Sequence, residues 1–169
     1  MKKNTSTKDL KLSRNERLFI DSTSIINPKK FENLKPKGLN IFTFHAGFKK
    51  KLDDLLIIIF DEITDLAAVY SKTSTPSAPI IWDKKYNKGE VKAIVVNSGN
   101  ANAHTGLKGI KIIEEYAVFL SKVLNCKKKE ILISSTGVIG ELFDPKLITN
   151  QISKIKEKEN KKLIDAAKS

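Results

Sequence analysis

Two segments of this sequence combine asparagine, serine, threonine and glycine directly after short apolar runs. The first, NSGNANAHTG, occupies residues 97–106, and the second, SSTGVIGE, occupies residues 134–141. Hydroxyl, amide and backbone N–H groups are hydrogen-bond donors, and donors held in place can stabilise the oxyanion that forms when a carbonyl carbon is attacked. We therefore expect two strand ends, each opening into a loop, to form two walls of one site.

Thr136 and Gly137 in the second segment are the candidate catalytic residues, because they offer a side-chain hydroxyl and a backbone N–H at the end of a strand. Losing one donor from an oxyanion hole typically costs about 3–4 kcal/mol of transition-state stabilisation. The residues alone favour an ordinary turn between the apolar run 131–133 and a following helix. Only the family resemblance described below favours the catalytic role.

The first segment contains three asparagines, Asn97, Asn100 and Asn102. We expect their amides to tie adjacent loops together, and a place in the wall of a pocket is the alternative for each. The spacing excludes a phosphate-binding loop, since six residues separate Gly99 from Gly106 where that motif requires four. The segment leads into a helix N-terminus, which favours an anion or a developing negative charge.

The remaining reactive side chains suggest no second site. His45 has no acidic or nucleophilic neighbour in the sequence pattern, and His104 is interpreted as a loop histidine, so neither is assigned a role. The single cysteine, Cys126, cannot form an internal disulfide and is expected to be a partly buried thiol at a helix end. We predict no metal site, no bound cofactor, no membrane contact and a cytoplasmic location.

The net charge of +12 raises the question of nucleic-acid binding. Of the 31 basic residues only Arg14 and Arg17 are arginine, whereas nucleic-acid sites favour arginine for its bidentate contacts. The excess positive charge also lies toward the two ends of the chain. We therefore predict no nucleic-acid binding, and a lysine-rich module that meets RNA or an acidic partner is the non-enzymatic alternative.

The apolar patterns predict strands alternating with helices. Runs of strand length lie at 55–60, 66–70, 92–96 and 130–133. The first two are predicted to pair with each other, with residues 62–65 in the connection between them. Helical spacing or helix-start signals lie at 107–125, from 144 to about 154, and at 158–168, and a loop is predicted at 71–79. This order predicts an α/β or α+β layered fold over residues 36–169, preceded by a basic, partly mobile extension at 1–35.

Five segments, in the same order along the chain, resemble the ornithine acetyltransferase (ArgJ) family. They are HAGFK at 45–49, DDLLI at 53–57, STPSAP at 74–79, and the two segments at 97–106 and 134–141. The resemblance covers roughly residues 37–169 and implies the α+β layered sandwich of that family, with this chain as an incomplete, N-terminal (α-chain) part. It implies that Thr136 and Gly137 form the oxyanion hole.

The activity implied by the resemblance is that of a glutamate N-acetyltransferase of arginine biosynthesis. Such an enzyme moves the acetyl group from N-acetylornithine to glutamate through an acetyl-threonine intermediate, and acetyl-CoA is a further donor to consider. The family is made as a precursor that cleaves itself before this threonine, whose freed amine activates its own hydroxyl.

The family's cleavage segment, which ends Met-Ala-Thr, occurs nowhere in this sequence. The chain is therefore expected to stop before the nucleophile and to be inactive alone. The resemblance implies a β-chain from the same precursor as partner, in an α2β2 heterotetramer. A related self-cleaving amidohydrolase or aminopeptidase is the alternative enzyme.

Overall fold

The computed structural model describes residues 36–167 as a single four-stranded sheet with four α-helices. The strands are β1 (Leu39–Phe44), β2 (Leu55–Asp65), β3 (Glu90–Asn100) and β4 (Ile131–Val138). The helices are α1 (Ala78–Tyr86), α2 (Gly106–Leu124), α3 (Lys146–Ile152) and α4 (Leu163–Ala167), with 3₁₀ turns at Lys128–Glu130 and Ile155–Glu157. The extension predicted at 1–35 lies outside the described residues.

The strands lie in the sheet in chain order, β1-β2-β3-β4. The pairs β1–β2 and β2–β3 are antiparallel, whereas β3 and β4 are parallel. A parallel pair cannot be joined by a tight turn, and α2 makes the crossover between β3 and β4. The mixture of strands and helices confirms the predicted α/β class.

One apolar core lies between the sheet and the helices. On the strands it uses alternate residues, which share a face because side chains alternate along a strand. The strand residues of this core are Phe42, Phe44, Leu55, Ile57, Ile59, Ala93, Val95, Ile131 and Ile133. The helices add Trp82, Ile113, Tyr116, Ala117, Leu120, Ile148 and Ile152. The intervening apolar residues of β2 and β3, such as Ile58 and Ile94, are half-buried.

The helix predicted over 107–125 is confirmed as α2, within one residue at each end. Its end at Leu124 is set by Asn125, which adopts a left-handed backbone with φ 51°. The two later helices are shorter than predicted. α3 begins after Asp144, whose carboxylate accepts the N–H of Lys146 at 2.9 Å, and α4 covers only the second half of the range 158–168.

The two strands that lead into the polar segments extend further than predicted. β3 continues through Asn97–Asn100, and β4 continues through Ser134–Val138, where the sequence pattern suggested loops. The expectation that these small polar residues could not continue a strand was wrong. Each segment becomes extended because the other lies beside it, and the parallel ladder satisfies backbone groups of both.

The strand predicted at 66–70 was also wrong. β2 runs on through Asp65, and residues 66–77 contain no strand or helix. A tight hairpin at 62–65 would favour glycine or asparagine at the positions with positive φ, and Glu62-Ile63-Thr64-Asp65 contains neither. β2 pairs instead with β1 on one side and β3 on the other.

Two elements were not predicted. β1 was missed, although every residue from Ile41 to Phe44 is buried. α1 begins at Ala78, inside the predicted loop 71–79, and its signal was the proline at position 79, since proline is favoured in the first turn of a helix.

Asp54 organises the connection between β1 and β2. Its buried carboxylate accepts three backbone N–H groups, from Ala46 at 2.6 Å, Gly47 at 3.2 Å and Lys49 at 2.7 Å. One side chain thus replaces the hydrogen bonds that this loop cannot make with itself. Within residues 36–167 the adjacent Asp53 accepts one side-chain hydrogen bond, from the hydroxyl of Thr43 at 2.7 Å.

The side chain of Asp83, a residue of α1, lies against the outer edge of β4. It is 5% exposed and accepts the backbone N–H of Ile133 at 3.0 Å. Without it, that N–H would be a buried donor with no strand beyond it. Burial raises the pKa of Asp83 to about 7, although the hydrogen bond from Ile133 opposes the shift.

Asp54→Ala should lower the free energy of unfolding by roughly 2–4 kcal/mol, because three backbone donors lose a charged acceptor. Asp53→Ala is the matched control and should cost about 1 kcal/mol. Urea denaturation of both variants measures the difference. Equal losses in the two variants would contradict the role of Asp54 in this loop.

Asp83 should make stability depend on pH. Because its pKa is raised on folding, the folded chain keeps a proton that the unfolded chain loses between the ordinary value of 3.8 and about 7. Stability therefore falls as pH rises through this window. Asp83→Asn stays neutral, so its stability relative to wild type should increase by roughly 2 kcal/mol from pH 5 to pH 8. Denaturation at both pH values tests this, and a difference that does not change with pH would contradict it.

Candidate functional site

The two polar segments singled out in the sequence lie side by side at the ends of β3 and β4. In the parallel register Asn97 lies opposite Ser135, Ser98 opposite Thr136, and Gly99 opposite Gly137. The ladder continues past the end of β3, since the N–H of Ala101 donates to the carbonyl of Val138, the last residue of β4, at 2.8 Å. Two segments 37 positions apart in the sequence thus form one continuous surface.

Glycine is required where these strands meet. Gly137 has φ 127°, and a Cβ there would collide with the backbone of Gly99 and lie 2.6 Å from the nitrogen of Asn100. Gly99 has φ 124°, and a Cβ there would lie 2.7 Å from the Cβ of Phe48. Both positions combine a left-handed backbone with no room for a side chain. The backbones of β3 and β4 are therefore held closer together here than any other residue would allow.

Phe48 connects this contact to the loop held by Asp54. Its Cβ lies against Gly99, and its ring meets that of Phe143 edge-on at 5.0 Å between centroids. Edge-to-face geometry is the favourable arrangement for two aromatic rings. The loop after β1 is consequently packed against the end of β3 and against the segment that follows β4.

Asn97 and Asn100 use their amides to cross-link the polar segments. Asn97, 1% exposed, donates to the carbonyl of Asn100 at 2.8 Å and accepts the hydroxyl of Ser135 at 2.6 Å. Asn100 donates to the carbonyl of Glu141 at 3.0 Å and accepts the N–H of Asn102 at 2.8 Å. The side chains of Asn97 and Asn100, before and after Gly99, are therefore both held by hydrogen bonds to other protein groups.

Asn102 makes the corresponding connection to α2. It is fully buried, donates to the carbonyl of Gly109 at 3.0 Å, and accepts the hydroxyl of Thr105 at 2.7 Å. Its φ of 45° is in the left-handed region, which asparagine tolerates better than most residues. The start of α2 is thereby tied to the end of β3.

Thr136 and Gly137 differ from these asparagines, because both are exposed. The hydroxyl of Thr136 is not among the hydrogen-bonded side-chain groups found within residues 36–167. The hydroxyl of the preceding residue, Ser135, is committed to Asn97. A ligand approaching this end of the sheet would therefore meet a free hydroxyl beside a backbone whose conformation is fixed.

The N-terminus of α2 does not lie in the same depression as Thr136. A shallow surface depression of about 390 Å³ lies between the starts of α1 and α2, and its walls include Pro76, Ile81 and His104 but neither Thr136 nor Gly137. The depression therefore does not bring the anion site predicted at this helix start together with Thr136 and Gly137.

His45 has a neighbour that the sequence pattern did not reveal. Its Nδ1 lies 3.7 Å from a carboxylate oxygen of Asp54, nine residues along the chain, and 2.9 Å from the carbonyl of Leu52. The turn between β1 and β2 brings these groups together. Since the Asp54 carboxylate already accepts three backbone N–H groups, His45 lies at the edge of a structural hydrogen-bond cluster.

The lone cysteine and the acidic and histidine side chains form no metal site in the part of the chain that the structure describes. Burial raises the pKa of the half-buried Cys126 thiol to about 11, so it is protonated near neutral pH. No helix within residues 36–167 is long and apolar enough to cross a bilayer.

Comparison with known proteins identifies one family. The model of the ArgJ family matches residues 40–169. A relative named arginine biosynthesis bifunctional protein ArgJ, from Agrobacterium fabrum, is 38% identical over 126 residues, covering 73% of this chain and 30% of the relative. A relative of the same name from Bartonella henselae is 39% identical over 135 residues, and the match covers 78% of this chain and 33% of the relative. The chain thus spans about a third of the length of these curated relatives.

Two solved structures share the fold. The arginine biosynthesis bifunctional protein ArgJ of Bacillus halodurans superposes with a TM-score of 0.65 at 32% identity, over 69% of this chain and 62% of that one. The ornithine acetyltransferase of Mycobacterium tuberculosis, solved with ornithine, superposes with a TM-score of 0.65 at 25% identity, over 70% and 65%. With the family model matching more than three quarters of its residues, this chain belongs to the ArgJ family.

Proposed function

We propose that this chain forms one wall of the acyl-transfer site of an arginine-biosynthesis acetyltransferase. The reaction transfers the acetyl group of N2-acetyl-L-ornithine to L-glutamate, giving L-ornithine and N-acetyl-L-glutamate. The observation that carries the proposal is the exposed Thr136–Gly137 pair at the end of β4, with its backbone fixed against Gly99. The names of the relatives, arginine biosynthesis bifunctional protein and ornithine acetyltransferase, support the reaction class.

The direction of the Gly137 N–H follows from the strand geometry. Ile133 directs its N–H outward, away from β3 and toward Asp83. Successive N–H groups of a strand point to alternate sides, so Ser135 and Gly137, two and four residues later, direct theirs outward as well. The Gly137 N–H and the Thr136 hydroxyl are the two donors proposed for the oxyanion.

In the proposed mechanism a threonine hydroxyl oxygen supplied by another segment attacks the acetyl carbonyl carbon. The carbonyl oxygen becomes negatively charged, and the two donors stabilise it without having to reorganise. The C–N bond then breaks, and ornithine leaves with its amine protonated by the hydroxyl proton. The glutamate amine then attacks the carbonyl carbon of the resulting ester, and a second oxyanion forms. The ester C–O bond breaks, and a proton of the amine passes to the threonine oxygen, which restores the hydroxyl.

The rest of the assembly belongs to the same proposal. The nucleophile comes from a β-chain that is cut from the same precursor. The two kinds of chain assemble as an α2β2 heterotetramer, and the enzyme works in the cytoplasm. Acetyl-CoA is the second acetyl donor to test, since it would account for the word bifunctional in the names of the relatives. The chemistry requires no bound cofactor, because the acetyl group passes directly between an amide, an ester and an amide.

Thr136→Val in the complete enzyme should lower kcat by roughly 10²–10³ and leave KM little changed, because the hydroxyl is used only in the transition state. Thr64→Val is the matched control, since Thr64 is an exposed threonine on β2 whose hydroxyl, among the described residues, donates to the carbonyl of Glu62 at 3.3 Å. Rates should be measured on fully cleaved protein, because slow processing would mimic slow catalysis. A kcat equal to that of the control would remove Thr136 from the site.

The 169-residue chain by itself should produce no N-acetylglutamate from N-acetylornithine and glutamate, because the expected nucleophile is not among its residues. Product formation is followed by mass spectrometry beside a sample without protein, and the complete enzyme serves as the positive control. Turnover above the protein-free sample would show that the covalent step needs no residue outside this chain and would refute this part of the proposal.

A further inference from the structure

Asp83 is a buried carboxylate for which the proposed reaction has no direct use. It lies three residues before the end of α1, on the opposite side of β4 from β3, and its Oδ1 accepts the N–H of Ile133. The ion pairs found within residues 36–167 do not involve it. Burying a carboxylate without a paired charge costs free energy of folding, which a hydrogen bond to the carboxylate can partly offset.

The surroundings of Asp83 are unusually poor in compensating charge. Two buried phenol hydroxyls, that of Tyr70 in the segment before α1 and that of Tyr116 on α2, have no hydrogen-bond partner within residues 36–167 and are close enough to Asp83 for its charge to act on them. Burial and the negative charge of Asp83 raise the pKa of both phenols. Both phenols therefore stay protonated and neutral beside Asp83.

The nearby cations are engaged elsewhere. From the 3₁₀ turn after α2, Lys128 binds Glu114 at 2.6 Å and lies 5.1 Å from the centre of the Tyr86 ring. On α1 itself, Lys84 donates to the carbonyl of Ser71 at 3.1 Å, and Lys85 lies 5.0 Å from the Tyr86 ring. The hydrogen bond from Ile133 is consequently the main polar interaction of Asp83.

This hydrogen bond acts on the part of β4 that leads to the proposed donors. In the described sheet β4 pairs only with β3, so its other edge depends on α1. Ile133 precedes Thr136 by three residues, and the strand between them is continuous. The inner edge of this stretch is fixed by the register with β3, and the outer edge is fixed at Ile133 by Asp83.

We propose that Asp83 is a positioning residue for the oxyanion donors, which it sets by holding the outer edge of β4 at Ile133. The inference rests on the proposed function of Thr136 and Gly137. Asp83 touches no reacting atom and acts only through the strand. Losing its acceptor lets residues 133–137 move away from α1, and the two donors then no longer keep a fixed direction.

Hydrogen exchange on the 169-residue chain tests the structural half of this proposal. Asp83→Ala should speed exchange of the Ile133 amide, and of the Ser134 and Thr136 amides that face β3, by roughly tenfold, while the amides of β2 stay within about threefold of wild type. Asp83→Asn keeps an oxygen acceptor and should restore slow exchange. Asp144→Ala is the matched control, because Asp144 also accepts a backbone N–H but is exposed. Unchanged exchange in Asp83→Ala, or an equal rise in all strands, would overturn the proposal.

Kinetics of the complete, fully cleaved enzyme test the functional half. Asp83→Ala should lower kcat by about tenfold with KM changed less than about threefold, and Asp83→Asn should recover most of the rate. If Thr136→Val loses activity and Asp83→Ala does not, the positioning role is wrong and the proposed function stands. If neither variant lowers kcat, the proposed function fails as well, and the exchange experiment still reports whether Asp83 holds β4.

Discussion

The close backbone contact between Gly99 and Gly137 is the constraint on which the described site depends. It brings the ends of two parallel strands closer than side chains would permit. Both glycines also have a positive φ, which other residues rarely adopt. The surrounding residues are arranged to maintain it. Phe48 packs against Gly99 from one side. Asp54 accepts three backbone N–H groups from the loop that contains Phe48 and so fixes that loop.

Buried polar side chains in this protein serve mainly to satisfy backbone groups. Asn97, Asn100 and Asn102 each link two segments through both ends of the amide, and Asp83 supplies an acceptor to the outer edge of β4. A loop or strand edge buried without such partners would leave donors and acceptors unpaired. Thr136 stands out against this background, since it is exposed at the end of a strand where its neighbours are fixed. That difference in hydrogen bonding distinguishes the proposed donor from the residues that support it.

Sequence patterns predicted best where the signal was local. The spacing of apolar residues along α2 is a property of one helix, and its bounds were predicted within one residue. The predictions failed where a partner decides the conformation. Residues 66–70 are apolar enough for a strand but find no pairing partner among the described strands. α1 is short, and it buries Asp83 while Ile81 is partly exposed, so its apolar residues show no clear helical period. The polar ends of β3 and β4 become strands only because each lies against the other.

The sequence by itself determined that two glycine-containing polar segments follow apolar strands, that Thr136 and Gly137 are adjacent, and that the fold mixes strands and helices. These are properties of neighbouring residues, and composition and spacing encode them. Only the tertiary structure decided that Gly99 meets Gly137 and that Asp83, from another element, completes the edge of β4. Contacts of this kind join residues 38 and 50 positions apart, and their geometry is set by how the whole sheet and its helices pack, which no local pattern records.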